Sequence, residues 1–217
     1  MTLHRNGHHM EMTPLSQYRW RLPVAMAVWA ALALTGMGGL WVYAKTPGPR
    51  AAAPAEWVGA AALNLDSAKA TLVMFVHPHC ECSRASVDEL AGLMARRPGR
   101  VAARVVVYRP SDQAPGWERT ELWARAERIR GAQVTSDPNG ALALRFGALT
   151  SGHTFVYAPD GRLLFGGGLT IARGHAGDSP GLRAVERAVD GLRTPGSAPV
   201  FGCLIHASTD TLAGDIP

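Results

Sequence analysis

Three cysteines hold most of the chemistry available to this chain, and two of them, Cys80 and Cys82, are one residue apart. A thiolate is both a strong nucleophile and a soft metal ligand, so cysteines this close point to thiol–disulfide exchange or to a soft metal ion. The run His77-Pro78-His79-Cys80-Glu81-Cys82 surrounds them with polar, exposure-prone residues, which argues against two small buried hydrophobes. A disulfide across a single intervening residue closes a small, strained ring, and strained disulfides are the labile, oxidising kind. Protonated His77 and His79 would lower a neighbouring thiol pKa, whereas Glu81 would raise it. Cys203 follows Pro199-Val-Phe-Gly near the end of the chain. Three thiols cannot all pair within one chain. Cys203 is therefore open to exchange with Cys80 or Cys82, to metal ligation, or to a packing role as a free thiol.

The elements around the pair explain its presentation. Residues 71–76, TLVMFV, form a continuous apolar run of β-formers, the pattern of a strand buried on both faces. A helix is predicted over 83–96, with Val87, Leu90, Leu93 and Met94 at helical spacing and Pro98-Gly99 as its stop. The strand thus delivers its cysteines to a helix N-terminus, where the helix dipole stabilises a thiolate. Beyond it, 101–108 reads as a second strand, 117–129 as an amphipathic helix, and 133–135 as a short strand. Residues 139–146 read as a short helix ended by Gly147, and 154–158 and 162–165 as a hairpin around Pro159-Asp160-Gly161. A last helix covers 180–192, and 208–217 reads as frayed. This order predicts an α/β fold: a central mixed sheet flanked by helices, parallel at its centre, with an antiparallel hairpin at one edge.

Residues 22–44 contain no charge over 23 positions, and about 20 apolar residues suffice to cross a bilayer as a helix. Trp20 lies at one end, Trp41 and Tyr43 at the other, as interfacial anchors. Arg5, Arg19 and Arg21 precede the span, while Lys45 and Arg50 follow it, a small bias toward a cytoplasmic N-terminus. The apolar stretch is longer than that of a cleaved signal peptide, so the expectation is an uncleaved anchor. The organisation read from this is a cytoplasmic tail at 1–21, a transmembrane helix at 22–44, and a Pro/Ala/Gly linker at 45–56. A folded domain at 57–195 and a C-terminal extension at 196–217 complete it. With a net charge of +5 and its arginines spread out, the chain lacks the basic patch of a nucleic-acid binder.

The run Val73-Met-Phe-Val-His-Pro-His-Cys80-Glu-Cys82, the helix after it, the hairpin with its Pro-Asp-Gly turn and the terminal helix together resemble the thioredoxin-like superfamily. The resemblance covers about residues 57–195 and is nearest to the bacterial membrane-anchored thioredoxin-like proteins of RedB type. It implies that Cys80 is the attacking cysteine and that Cys82 resolves the mixed disulfide. It implies no cofactor, a protein thiol or disulfide as substrate, and a single-pass protein of the bacterial inner membrane whose soluble domain faces the periplasm or cell exterior. The chain departs from the pattern in three places: the pair is C-x-C instead of C-x-x-C, His153 stands where the cis-proline is usual, and Met74 stands where a buried acid assists proton transfer. Sco-type copper proteins are also similar, in Phe75-Val76-His77 and in the position of His153. That similarity implies an alternative Cu(I) site of Cys80, Cys82 and His153. His77, His79 and His175 are weaker ligand candidates, and His4, His8 and His9 fall on the far side of the membrane.

Overall fold

The computed structural model describes residues 20–59 and 63–206. The frayed end expected at 208–217, and His4, His8 and His9, lie outside the described residues. The chain divides into two compact units, 1–43 and 44–217. The first contributes most of α1, Arg21–Lys45, a helix with mean hydropathy 1.6, long and apolar enough to cross a membrane, with none of its residues buried. Pro23 falls in its first turn, where its missing N–H is not needed.

In the second unit the apolar run becomes β1, Ala70–Val76, buried along its whole length. It is parallel to β2, Val101–Arg109, which is parallel to β3, Ala132–Pro138. On its other side β1 is antiparallel to β4, His153–Tyr157, which pairs antiparallel with β5, Leu163–Gly167. The order β3-β2-β1-β4-β5 puts β1 at the centre of the sheet and makes the fold thioredoxin-like. Side chains alternate across a strand. Leu72, Met74 and Val76 therefore pack toward Val87, Leu90 and Leu93 of α2, Cys82–Arg96, and toward Leu182 and Val185 of α5, Pro180–Val189. Val73 and Phe75 face the opposite layer, with Phe155, Tyr157 and Phe146. Met74 is fully enclosed in the first layer and supplies no acid there.

Element boundaries moved where local backbone chemistry overrode periodicity. The helix predicted over 117–129 is α3, Glu121–Glu127, because Thr120 is extended and the Glu118 carboxylate accepts the Gly116 N–H in a turn before it. The strand at 133–135 is longer, since backbone pairing with β2 runs from Ala132 to Pro138, and Pro138 is tolerated on an edge strand. The helix predicted from 139 starts as α4, Ala141–Phe146, because Asn139 and Gly140 are left-handed and the Asp137 carboxylate caps the N–H groups of Leu142 and Ala143. The last helix ends at Val189, ahead of left-handed Gly191.

Two flanking segments also pack on the sheet. The segment expected as a free linker is extended, as its prolines dictate, yet residues 48–55 lie against the domain. Gly48 N–H donates to Val200 O, Ala51 N–H to Gly147 O, and Leu163 N–H to Ala55 O. The carbonyls of Pro49 and Pro54 accept the hydroxyls of Thr150 and Tyr157. Proline cannot donate but its carbonyl accepts freely, so a proline-rich strap can be fixed by side-chain donors. Trp57 then seats edge-on against Phe146 and Tyr157. The segment expected as an extension after 195 also returns to the sheet: Ser197 bridges to Gly166 and Leu204 to Thr150, and Val200, Phe201 and Ile205 are buried.

Candidate functional site

Strand β1 ends at Val76, and the chain turns through His77-Pro78-His79 to reach Cys80. Cys80 N–H donates to His77 O, and Ser83 N–H to Cys80 O, which ties the turn to the first residues of α2. Cys80 is 4% exposed. It opens onto a cleft of about 150 Å³ that is also lined by Pro78, Glu81, Arg84 and Thr120. Cys82 is half-buried as the first residue of α2.

Cys203 completes the site. The three sulfurs lie within 4.8 Å of one another, and Cys80 Sγ and Cys203 Sγ meet at 2.9 Å. Backbone ties hold Cys203 in place: Ser151 N–H donates to Cys203 O (2.8 Å) and Ile205 N–H to Leu149 O (2.9 Å). The loop before β4 is fixed in turn, since Gly152 N–H donates to Phe75 O. The approach is so close that a Cβ on Gly202 would overlap the Ser151 carbonyl. Gly152, at φ +91°, leaves only 2.7 Å between a built Cβ and Ser86 Oγ. Gly202→Ala is therefore expected to cost about 1–3 kcal/mol by overpacking and to pull Cys203 from Cys80. Denaturant unfolding would read the first effect and a rise of the lowest thiol pKa the second.

The thiols are not equivalent. Burial pushes Cys80 up, but hydrogen bonds from the Cys203 and Ser83 side chains stabilise its thiolate more, and its pKa falls below the ordinary thiol value. Cys203 is an exposed residue, yet partial desolvation of its sulfur pushes it up to about 12, reinforced by the hydrogen bond to Cys80 and by the charges of Cys80 and Cys82. Cys82 is raised by burial and then by the charge on Cys80, with Arg173 acting in the opposite sense. Cys80 is thus the thiol that ionises first, and with Cys80 ionised Cys203 is the donor in their contact.

Several neighbours were not singled out by sequence. Ser83 occupies the position three after Cys80, where a C-x-x-C pair would have its second cysteine. It is buried, and its hydroxyl lies 2.5 Å from Ser151 Oγ, which accepts the His77 N–H. Arg173 donates to Gly202 O and places its charge near Cys82 and Cys203. The spacing of Ser83 from Cys80 was the available signal for the first of these.

The other candidates fall elsewhere. Glu81 turns outward to Arg84 (3.2 Å), so it is not set against the Cys80 thiolate. The His77 ring stacks on Tyr108 and the His79 ring packs on Trp117. Burial, then the charge of His79, lowers the His77 pKa, so His77 is no cation for the thiols at neutral pH. His175 Nδ1 contacts the Arg173 carbonyl in an exposed loop. His153 is 1% exposed on β4, opposite Phe75 of β1, with its ring against Phe155. The thiols gather with Cys203, and His153 is not among the donors within 4.8 Å of one another.

No protein-family model matches the chain, and no curated protein matches it by sequence. Among solved structures, an uncharacterized conserved protein from Geobacillus kaustophilus superposes with a TM-score of 0.56 at 18% identity, over 76% of this chain and 94% of that one. A hypothetical protein from Sinorhizobium meliloti 1021 gives 0.54 at 20% identity, over 76% and 96%. A secreted Mycobacterium tuberculosis disulfide oxidoreductase homologous to E. coli DsbE gives 0.41 at 17% identity, over 59% and 84%. At these identities the first two likenesses are of fold.

Proposed function

We propose that this chain is a membrane-anchored thiol–disulfide oxidoreductase acting on protein thiols outside the cytoplasm, with Cys80 as its nucleophile. The reading rests on one observation: a thiol of lowered pKa, at the start of a helix and beside a cleft, has a second thiol at 2.9 Å. A Cys80 thiolate attacks a substrate disulfide, and a neighbouring thiol then displaces the substrate from the mixed disulfide. The exchange uses only the protein's own sulfurs. Helix α1 would hold the domain at the bacterial inner membrane, facing the periplasm or cell exterior, a compartment in which disulfides persist.

The test is a pH titration of thiolate absorbance in the full-length reduced protein in detergent, paired with exchange against a disulfide-bonded protein. One thiolate is expected to form below the ordinary thiol range, with the other two above it. Cys80→Ser is expected to remove the low step and reduce exchange to the uncatalysed rate. Undiminished exchange in that variant would refute the assignment.

The clustering of three sulfurs favours a second reading, Cu(I) binding. The observations favour a different donor set from the Sco-type one of Cys80, Cys82 and His153, because His153 is buried with its ring against Phe155 and is not grouped with the sulfurs. Cys80, Cys82 and Cys203 form a soft donor set suited to Cu(I). Competition titration of Cu(I) separates the cases: tight binding kept by His153→Ala and lost by Cys203→Ser supports this reading, and absent binding removes it.

A further inference from the structure

We infer that the redox couple is Cys80 with Cys203, so that the thiol resolving the mixed disulfide comes from beyond the last helix and not from the neighbouring Cys82. The inference rests on the oxidoreductase reading of the site and names a residue that the C-x-C pattern does not.

Geometry separates the two possible partners. Cys203 reaches Cys80 from a different stretch of chain, fixed on both sides by backbone hydrogen bonds to 149–151 and by the buried Phe201 and Ile205. Closing 2.9 Å to a disulfide length of about 2.05 Å needs only small side-chain rotations. Cys82 lies inside the first turn of α2, which is held by Ser83 N–H to Cys80 O and Arg84 N–H to Glu81 O. A ring across Glu81 would have to open that turn. The local alternative, the position three after Cys80, is a serine whose hydroxyl is engaged with Ser151.

The contact also orders the steps. Cys80, which faces the cleft, attacks as its thiolate one sulfur of a substrate disulfide. A Cys80–sulfur bond forms, the substrate S–S bond breaks, and the released sulfur leaves as a thiolate that takes a proton from water. The mixed disulfide has no charge on Cys80. The contact at 2.9 Å already sets the Cys203 sulfur beside the Cys80 sulfur of that mixed disulfide. Cys203 gives its proton to the second substrate sulfur as it attacks Cys80 Sγ. The Cys80–Cys203 bond forms and the mixed disulfide breaks. The substrate gains two electrons and two protons, and the Cys80–Cys203 pair loses the same number.

The deciding experiment oxidises the full-length protein in detergent with oxidised glutathione, caps the remaining thiols, and maps the cross-links by mass spectrometry. The expected product joins the Cys80 and Cys203 peptides and leaves Cys82 capped. A bond between Cys80 and Cys82 with Cys203 capped would overturn the inference and leave the oxidoreductase reading standing. In the variants, Cys203→Ser is expected to accumulate glutathione on Cys80 and to exchange no faster than Cys80→Ser, while Cys82→Ser keeps most of the wild-type rate. The reverse pattern would overturn the couple. A Cys80–Cys203 cross-link in a protein that exchanges with no disulfide-bonded protein would support the couple and overturn the oxidoreductase reading.

Discussion

Oxidation of the full-length protein is expected to raise its unfolding free energy by about 4–5 kcal/mol, because the pair that closes lies 123 residues apart in sequence. A cross-link between distant residues removes conformations from the unfolded chain, and the effect grows with the loop it closes. For a domain of this size the unfolding midpoint should rise on the order of 10 °C. A disulfide across the single residue Glu81 closes a far shorter loop, and its entropic gain, about a third as large, is opposed by ring strain. Differential scanning calorimetry of the oxidised and reduced forms therefore tells the two couples apart without any substrate. Cys203→Ser should abolish the shift and Cys82→Ser should retain it. Equal midpoints in the oxidised and reduced wild type would contradict a long-range couple. Fold energy that favours the disulfide makes it harder to reduce, which places this couple on the side of a reductant of its partners. A strained C-x-C ring would act the opposite way.

Lowering the pH from 7 to 4 is expected to cost the domain about 3 kcal/mol through His153 alone. Burial, with the Arg50 charge as a second cause, holds this imidazole at a pKa of about 4, against 6.5 for an unperturbed histidine. Between those values the unfolded chain binds a proton that the folded chain does not. Stability at this site is thus complete above about pH 6.5, falls as the pH drops through the window, and changes no further below about 4. His153 Nδ1 has no hydrogen-bond partner among the described residues, so an apolar replacement breaks no bond there. His153→Leu should be at least as stable as wild type at pH 7 and should gain on it as the pH falls. Denaturant titrations of both proteins at the two pH values give the difference, and the carboxylates common to both cancel. A difference independent of pH would show that this histidine is not held neutral.

Much of the fold was legible because it depends on short-range pattern. The unbroken TLVMFV run marks a strand covered on both faces, and it is the centre of the sheet. Val87, Leu90 and Leu93 mark the buried stripe of α2, and Pro159-Asp160-Gly161 marks the β4–β5 turn. Boundaries were less legible. The ends of α3 and α4 are decided by a carboxylate in a turn and by left-handed residues, which hydrophobic spacing does not register. Within the site, Cys80 and Cys82 could be read from their type and spacing. Ser83 carried only its spacing from Cys80, because a serine at a helix start is ordinary until its hydroxyl is seen against Cys80 and Ser151.

By itself the sequence determined which residue types can do chemistry and which element presents them: a cysteine pair placed at the end of a buried strand and the start of a helix. That information is local, since strand burial, helix start and turn are each written within a few neighbouring residues. Only the tertiary structure decided which thiols meet. The extended segment 48–55 and the returning segment 197–206 pack on the sheet through backbone hydrogen bonds, which carry little trace in residue identity. Those contacts bring Cys203 across 123 positions to 2.9 Å from Cys80, and β4 pairing with β1 buries His153 opposite Phe75. Sulfur chemistry is set by distances of a few ångströms, and spacing along the chain specifies such distances only between near neighbours.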